Sequence, residues 1–182
     1  MKRDYRKNHI IKICVCAMLV GISVEIGTLC RDFLNLTPTI RITFENLPVI
    51  LSGILFGPVY GMLCGTCTDV VSSVITGQNI NPIITVGALS VGLVSGLVVK
   101  LLKKTNISDN VKNTLSCASA HVVGSLFIKT FGLHLYYFST SSFWYLFGTR
   151  FLVYLFICTA ECIMISLILK NKYIKGLSSY EL

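Results

Sequence analysis

The chain has 182 residues, of which 53% are hydrophobic and 13% are charged, and its mean hydropathy is +0.73. Soluble domains carry about 25% charged residues, so the composition excludes an ordinary soluble protein and indicates an integral membrane protein. The net charge is +8, but most basic residues fall in three clusters, at positions 2–12, 100–112 and 170–175. Basic clusters beside apolar segments follow the positive-inside rule, which argues against a nucleic-acid-binding protein.

The first apolar segment, Ile10–Cys30, is long enough to span a membrane. It lacks the small-residue cleavage pattern of a signal peptide, so we expect a retained transmembrane helix. Ala17 and Gly21 are four residues apart on this segment, and small residues at that spacing let two helices approach closely. Two interpretations remain open: packing against another helix of this chain, or docking onto a second membrane protein.

The segment Leu47–Ile75 is apolar almost throughout, but Gly57 and Pro58 interrupt it. Glycine tolerates turn conformations and proline lacks an amide donor, so the pair predicts a tight reversal between two helices. With one span here, the basic cluster at 100–112 and the basic N-terminus would lie on different sides of the membrane. With two spans, all three clusters lie on the cytoplasmic side, as the positive-inside rule requires.

The sequence therefore predicts an all-α membrane protein: a single domain, residues 1–182, of six transmembrane helices with both termini in the cytoplasm and a place in the cell membrane. The predicted spans are Ile10–Cys30, Phe44–Phe56, Pro58–Ile75, Pro82–Leu102, Val111–Leu133 and Tyr145–Leu169. The second span is only about 20 Å long at 1.5 Å per residue, so we expect neighbouring helices to shield it. The external loops are then residues 31–43, 76–81 and 134–149, whose arginines, amides and aromatic rings are typical of a binding surface.

No catalytic or metal-binding motif is evident. The eight cysteines lie mostly in apolar segments, where cysteine behaves as a small hydrophobic residue. Cys64 and Cys67 form one isolated CxxC motif without a second pair or nearby histidines. The Walker pattern that binds ATP phosphates is absent. We therefore expect no metal, no cofactor and no enzymatic activity.

The chain contains five notable motifs: Arg41-Ile-Thr-Phe-Glu-Asn-Leu-Pro48, Gly53-Ile-Leu-Phe-Gly-Pro58, Gly61-x3-Gly65-x3-Asp69, Phe143-Trp144 and Thr149-Arg150. They resemble those of the S components of energy-coupling factor (ECF) transporters, and most closely the folate branch. The Ala17/Gly21 pair is similar to the docking motif of that family. The chain departs from the folate pattern at His134 and Tyr136, where a tryptophan and a serine are expected.

The resemblance implies a subunit that captures folate outside the cell and delivers it through a partner module, which consists of a membrane-embedded coupling subunit and two ATPases. Arginine forks match the carboxylates of the folate tail, and aromatic rings and amides suit its heterocycle. The candidate binding residues are Arg31, Arg41 and Arg150 for the tail, Phe44, His134, Tyr136, Tyr137 and Trp144 for ring contacts, and Asn79 and Asn81 for the heterocycle edge. For Asp69 we favour a structural role, paired with an external arginine. Asn81 could instead cap the fourth helix.

Other interpretations stay open. The same architecture could bind another small vitamin or precursor, such as pantothenate or hydroxymethylpyrimidine. From other classes, the chain could be a small membrane enzyme acting through an embedded carboxylate such as Asp69 or Glu161, or a purely structural membrane protein.

Overall fold

A computed structural model describes residues 2–34, 42–136, 143–171 and 174, and within these ranges the secondary structure is helical, without strands. The helices are α1 (Lys2–Phe33), α2 (Asn46–Phe56), α3 (Pro58–Ile75), α4 (Pro82–Leu102), α5 (Asp109–Ala120), a π-helical segment (His121–Ile128), α6 (Lys129–Tyr136) and α7 (Phe143–Leu169). Because α5, the π segment and α6 follow one another without a break, we call residues 109–136 the composite rod.

Six helical stretches are thus present in the described ranges, as the sequence predicts. By length and composition, four helices of these ranges can cross a membrane: the part of α1 from His9 to Phe33, α3, α4 and α7. The composite rod does not contain one uninterrupted α-helix of that length, because the π segment divides it. The protein is therefore a multi-pass membrane protein, while the number of crossings and the side of each terminus stay predictions.

Helix α2 is short, with 11 residues, and every one of them is buried. Its side chains Ile50 and Leu55 are 0% and 2% exposed. The expected shielding by neighbours is confirmed in the structure, since α2 packs against α1, α3 and α4. An apolar helix surrounded by protein on all sides needs no contact with lipid, so its length is not set by the membrane.

The chain reverses between α2 and α3 at Gly57, whose φ is +91°. Residues with a side chain rarely adopt a positive φ, whereas glycine does so readily. The amide of Gly57 donates to the carbonyl of Gly53 at 2.9 Å, and the carbonyl of Gly57 accepts from the amide of Gly61 at 3.1 Å. Pro58 opens α3 at a position where no amide donor is needed. The structure therefore has two helices here, not one long span.

Glycines bring α3 and α4 into backbone contact. A methyl group added at Gly92 would overlap the carbonyl group of Gly61, and one added at Gly65 would overlap the carbonyl group of Ala88. At the far end of the pair, Gly96 lies against Pro58 in the same way. This close approach fixes α3 relative to α4, and both helices contribute to the cavity described below.

The small residues on α1 have a different environment. Ala17 and Gly21 are exposed, and a methyl group added at Gly21 would meet no atom of the described protein within 4 Å. The sequence left two interpretations open for these small residues. The first, packing against another helix of this chain, does not occur at Gly21 among the described residues.

Candidate functional site

A cavity of about 270 Å³ lies at the outer end of the bundle, by which we mean the end opposite the Gly57–Pro58 reversal. Five helices and the composite rod each contribute side chains to it. The lining residues are Arg31, Thr43, Glu45, Asn46, Val49, Gly65, Thr68, Asp69, Ser72, Ser73, Gln78, Asn79, Asn81, Ile84, Ala88, Lys129, Leu133, Arg150 and Tyr154. Most of these lining residues carry polar side chains.

Lys129, at the start of α6, is one of three cations in the wall, and it is 7% exposed. Its ammonium group lies 3.5 Å from the carboxylate of Glu45 and donates to the amide oxygen of Asn46 at 3.2 Å. The amide nitrogen of Asn46 in turn donates to the hydroxyl of Ser125 at 3.3 Å. Because a buried charge is stable only when it is paired and hydrogen-bonded, this network holds the lysine in place beside the cavity.

Arg150 lies two helical turns into α7. Its Nε donates to the hydroxyl of Thr130 at 2.9 Å, and its Nη2 donates to the phenol oxygen of Tyr154 at 2.9 Å. The guanidinium group also lies over the Tyr154 ring, 5.2 Å from the centroid. A guanidinium has five N–H donors, so these contacts orient the group and leave donor capacity for a ligand.

On the opposite wall, polar groups of α3 and α4 meet. The hydroxyl of Thr85 donates to the carboxylate of Asp69 at 2.7 Å. The side-chain oxygen of Asn81 accepts from the amide of Ile83 at 3.0 Å, and so caps α4 as one interpretation of the sequence proposed. The amide nitrogen of Asn81 and the hydroxyl of Thr68 are buried without a hydrogen-bond partner in the described structure. Buried polar groups normally have such partners, so these two atoms are suited to contact a ligand.

The structure brings together some of the residues chosen from the sequence and separates others. Those in the cavity wall are Arg31, Asn79, Asn81, Arg150 and Asp69. Those outside the wall are Phe44, His134, Tyr136 and Trp144. Arg41 and Tyr137 lie outside the described residues.

The described ring candidates are absent from the cavity wall. Trp144 and Tyr136 are 77% and 60% exposed, and the ring of His134 packs edge-on against Phe143 at a centroid distance of 5.6 Å. Trp144 precedes Arg150 by six residues, which places it about two-thirds of a turn around α7. Helical periodicity alone therefore separates Trp144 from the cavity side of that helix.

Sequence reasoning missed most other residues of the wall, among them Glu45, Asn46, Thr68, Lys129 and Tyr154. Two of them carried a usable signal. Lys129 is a cation inside an apolar stretch, and ionisable residues at membrane depth usually serve a function. Tyr154 follows Arg150 by four residues, which puts both on one face of α7.

The chemistry of the wall suits binding of a polar, partly anionic molecule. Three cations, Arg31, Lys129 and Arg150, exceed the two carboxylates of Glu45 and Asp69, and amides and hydroxyls surround them. The described wall contains neither histidine nor cysteine. Among the described residues, the side chains that could jointly hold a metal ion lie elsewhere, between the composite rod and α7.

Comparison with known proteins agrees with a transport role. The chain is 27% identical over 106 residues to the "Uncharacterized protein MG098 homolog" of Mycoplasma pneumoniae (strain ATCC 29342 / M129 / Subtype 1), a match that covers 54% of this chain and 22% of that protein. The chain thus spans about a fifth of the length of this relative. The family described as "ECF transporter, substrate-specific component" matches residues 12–171. This family consists of transporter components and not of enzymes, in agreement with the absence of enzymatic activity expected from the sequence. Since the match covers most of the chain, the protein belongs to the family of substrate-specific components of ECF transporters.

Proposed function

We propose that this protein is the substrate-binding subunit of an ECF-type vitamin importer in the cell membrane, and that it captures a folate from outside. The single observation that carries the proposal is the polar cavity at the outer end of the bundle, with Arg31, Lys129 and Arg150 in its wall. A membrane protein pays a large desolvation cost for buried cations, and an anionic ligand offsets that cost.

The glutamate tail of a folate carries two carboxylates. Arg31 is in the last turn of α1, at the outer rim, and Arg150 lies deeper on α7. Guanidinium groups bind carboxylates through two parallel charge-assisted hydrogen bonds. We assign Arg31 to the tail at the rim, with Arg150 between the rim and the cavity floor.

The pteridine head presents several donors and acceptors on its edge. The hydroxyl of Thr68 and the amide nitrogen of Asn81 supply buried groups without protein partners, and Asp69 supplies a carboxylate beside them. Tyr154 supplies an aromatic face in the wall. A cavity of about 270 Å³ accommodates the head, while the linker and tail extend toward the rim. The ligand enters and leaves without chemical change, and the protein needs no cofactor.

Equilibrium binding to the purified protein in detergent tests the ligand. We expect folate and 5-formyl-folate to bind with sub-micromolar Kd, and pteroate, which lacks the glutamate tail, to bind more weakly. Replacement of Arg31 by alanine should weaken folate binding by about tenfold to a hundredfold, in line with about 1.5–3 kcal/mol for a hydrogen bond to a charged group, with little effect on pteroate.

Lys104→Ala is the matched control, because Lys104 is an exposed cation in the loop at the other end of the bundle. It should bind both ligands as the unmodified protein does. Equal losses for folate and pteroate in Arg31→Ala would show that Arg31 shapes the cavity and does not hold the tail. Sub-micromolar binding of pantothenate or hydroxymethylpyrimidine, with none of folates, would replace folate by that ligand.

We propose in addition that Ala17 and Gly21 seat the protein on the coupling subunit of an ECF module, which contains two ATPases. The exposed, uncovered backbone at Gly21 supports this assignment. Replacement of Gly21 by leucine should abolish co-purification with the coupling subunit and leave folate binding unchanged. Gly148 on α7 also has no atom within 4 Å of an added methyl group, so Gly148→Leu is the matched control and should co-purify normally. Normal co-purification of Gly21→Leu would place the docking face elsewhere.

A further inference from the structure

A second polar cluster lies between the composite rod and α7, away from the cavity. Cys117 and His121 lie one helical turn apart on the rod, and Cys158 and Cys162 are likewise one turn apart on α7. The sulfur atoms of Cys117, Cys158 and Cys162 all lie within 4.8 Å of one another. A nitrogen of His121, an oxygen of Glu161 and the sulfur of Cys117 form a second triplet within the same limit of 4.8 Å.

The two triplets share Cys117, which is 0% exposed. His121 and Glu161 are 2% and 0% exposed, and the imidazole Nε2 lies 2.7 Å from a carboxylate oxygen of Glu161. The other ring nitrogen, Nδ1, and the other carboxylate oxygen are buried without a hydrogen-bond partner among the described residues. Such atoms are costly in a protein interior, and here both belong to side chains that ligate metals readily.

We propose that this cluster is a binding site for a thiophilic metal ion with a filled d shell, Zn²⁺ or Cu⁺. Cys117, Cys158 and Cys162 supply three sulfur ligands. His121, which forms the second triplet with Cys117, is the candidate for a fourth, and Glu161 positions its imidazole. Soft sulfur ligands select zinc and copper(I) over magnesium and calcium, which prefer oxygen. A carboxylate that holds the second nitrogen of a metal-bound histidine is a recurrent arrangement at such sites.

Binding converts each ligating thiol to a thiolate. One metal–sulfur bond replaces each S–H bond, and each proton passes to solvent or buffer without any change of oxidation state. Spacings of four residues on two facing helices give two chelating pairs, so the arrangement is more specific than three cysteines scattered through an apolar bundle. Helix geometry contributes as well, because the π segment begins at His121 and π-helical turns occur frequently at functional sites.

The site would fasten α7 to the rest of the bundle. Of the 27 residues of α7, four are buried: Leu146, Ile157, Glu161 and Ile165. Ile165 belongs to the apolar core, but the helix has few fully buried residues for its length. A metal ion held by Cys117 from the rod and by two cysteines from α7 cross-links the two elements and stabilises the folded state by its binding free energy.

Metal titration of the full chain tests the proposal. The protein is purified in detergent under reducing conditions, stripped with a chelator and titrated separately with Zn²⁺, Cu⁺ and Co²⁺. We expect one equivalent of Zn²⁺ or Cu⁺ to bind, with a rise in Tm, and Co²⁺ to give the intense sulfur-to-cobalt charge-transfer absorption of a thiolate site. Comparison of the Zn²⁺ and Cu⁺ titrations identifies the preferred ion.

Variants locate the site. Cys117→Ser should weaken binding at least a hundredfold, since it removes the ligand that both triplets share. Glu161→Gln should weaken metal binding about tenfold to a hundredfold, as is typical when a residue hydrogen-bonded to a metal ligand is replaced. The variant should keep the charge-transfer absorption. Cys67→Ser is the control: Cys67 is an exposed cysteine outside the cluster, and its loss should change nothing. Unchanged binding in Cys117→Ser, or cobalt absorption without charge-transfer bands, would overturn the proposal.

A measurement on the unmodified protein avoids variants that fail to fold. Alkylation by N-ethylmaleimide, followed site by site with mass spectrometry, should slow at Cys158 and Cys162 when Zn²⁺ or Cu⁺ is present. The exposed thiols of Cys14 and Cys67 should react at the same rate with and without metal. Equal rates at Cys158 and Cys162 in both conditions, or a disulfide between them in the reduced preparation, would exclude the metal site.

Discussion

Two faces of this protein carry small residues at the same four-residue spacing, yet they have opposite environments. On α3 and α4, Gly61 and Gly92 bring two backbones into direct contact. On α1, Ala17 and Gly21 are exposed, and no described atom lies within 4 Å of a methyl group added at Gly21. Small-residue spacing predicts that a surface can be approached closely. Only the fold shows whether the approaching helix belongs to the same chain.

The difference follows from how helices associate in lipid. Lipid tails are as apolar as leucine, so helices associate through close packing and hydrogen bonds rather than through hydrophobic burial. The contact between α3 and α4 is made within the fold, so its loss would destabilise the isolated protein. The face on α1 contributes nothing comparable to the isolated protein, which is the property expected of a surface reserved for a partner.

Gly92→Ala should have the largest effect on stability. The added methyl group would overlap the carbonyl group of Gly61, and because backbone atoms cannot move aside singly, α3 and α4 would have to separate. We expect a loss of about 3 kcal/mol or more in the free energy of unfolding, at the upper end for an overpacked interior. Unfolding in mixed detergent and SDS, followed by circular dichroism, measures this loss.

Gly148→Ala serves as the control for that measurement, because an added methyl group there meets no described atom within 4 Å. It should leave the midpoint of unfolding nearly unchanged. If Gly92→Ala shifted the midpoint of unfolding as little as Gly148→Ala does, the two backbones of α3 and α4 would not be in direct contact at Gly92.

Gly57→Ala should have an intermediate effect. Its φ of +91° and ψ of 176° lie in a region that residues with a side chain avoid, at a cost of about 1–3 kcal/mol. Gly77 is the suitable comparison, because it also has positive φ, at +63°, but has no atom near an added methyl group. Gly57 is buried and Gly77 is exposed, so the Gly57 variant should lose the more stability of the two in the same unfolding experiment. A neutral result at Gly57 would contradict the reversal between α2 and α3.

The sequence predicted the helices of this region well. The bounds of α3 and α4 are those expected, because Pro58 and Pro82 each open a helix directly after a capping residue, Gly57 and Asn81. The composite rod begins two residues before the predicted span, since hydropathy does not register the polar residues of its first turn, and α7 also begins two residues early, at Phe143. The π segment at His121 was not predicted, because its local composition is that of an ordinary apolar helix.

The cavity could be predicted only in part. Arg31, Asn79 and Arg150 were found because polar residues near the ends of apolar spans are visible in the sequence. Lys129 and Glu45 were missed, because their pairing depends on how the composite rod packs beside the start of α2. Phe44, His134, Tyr136 and Trp144 lie outside the wall, because loop composition identifies exposed residues rather than those that line a cavity.

Gly21→Ala should have the smallest effect and the opposite sign. In a helix, alanine is favoured over glycine by up to about 1 kcal/mol, and the added methyl group at Gly21 meets no described atom within 4 Å. We therefore expect a slight gain in the unfolding free energy of the isolated protein, while the same substitution at Gly92 causes a large loss. A loss of more than about 1 kcal/mol at Gly21, beyond the range of ordinary surface substitutions, would mean that this face packs within the chain. The assignment of Ala17 and Gly21 to a partner would then fail, because a surface already used by the fold cannot also receive another helix.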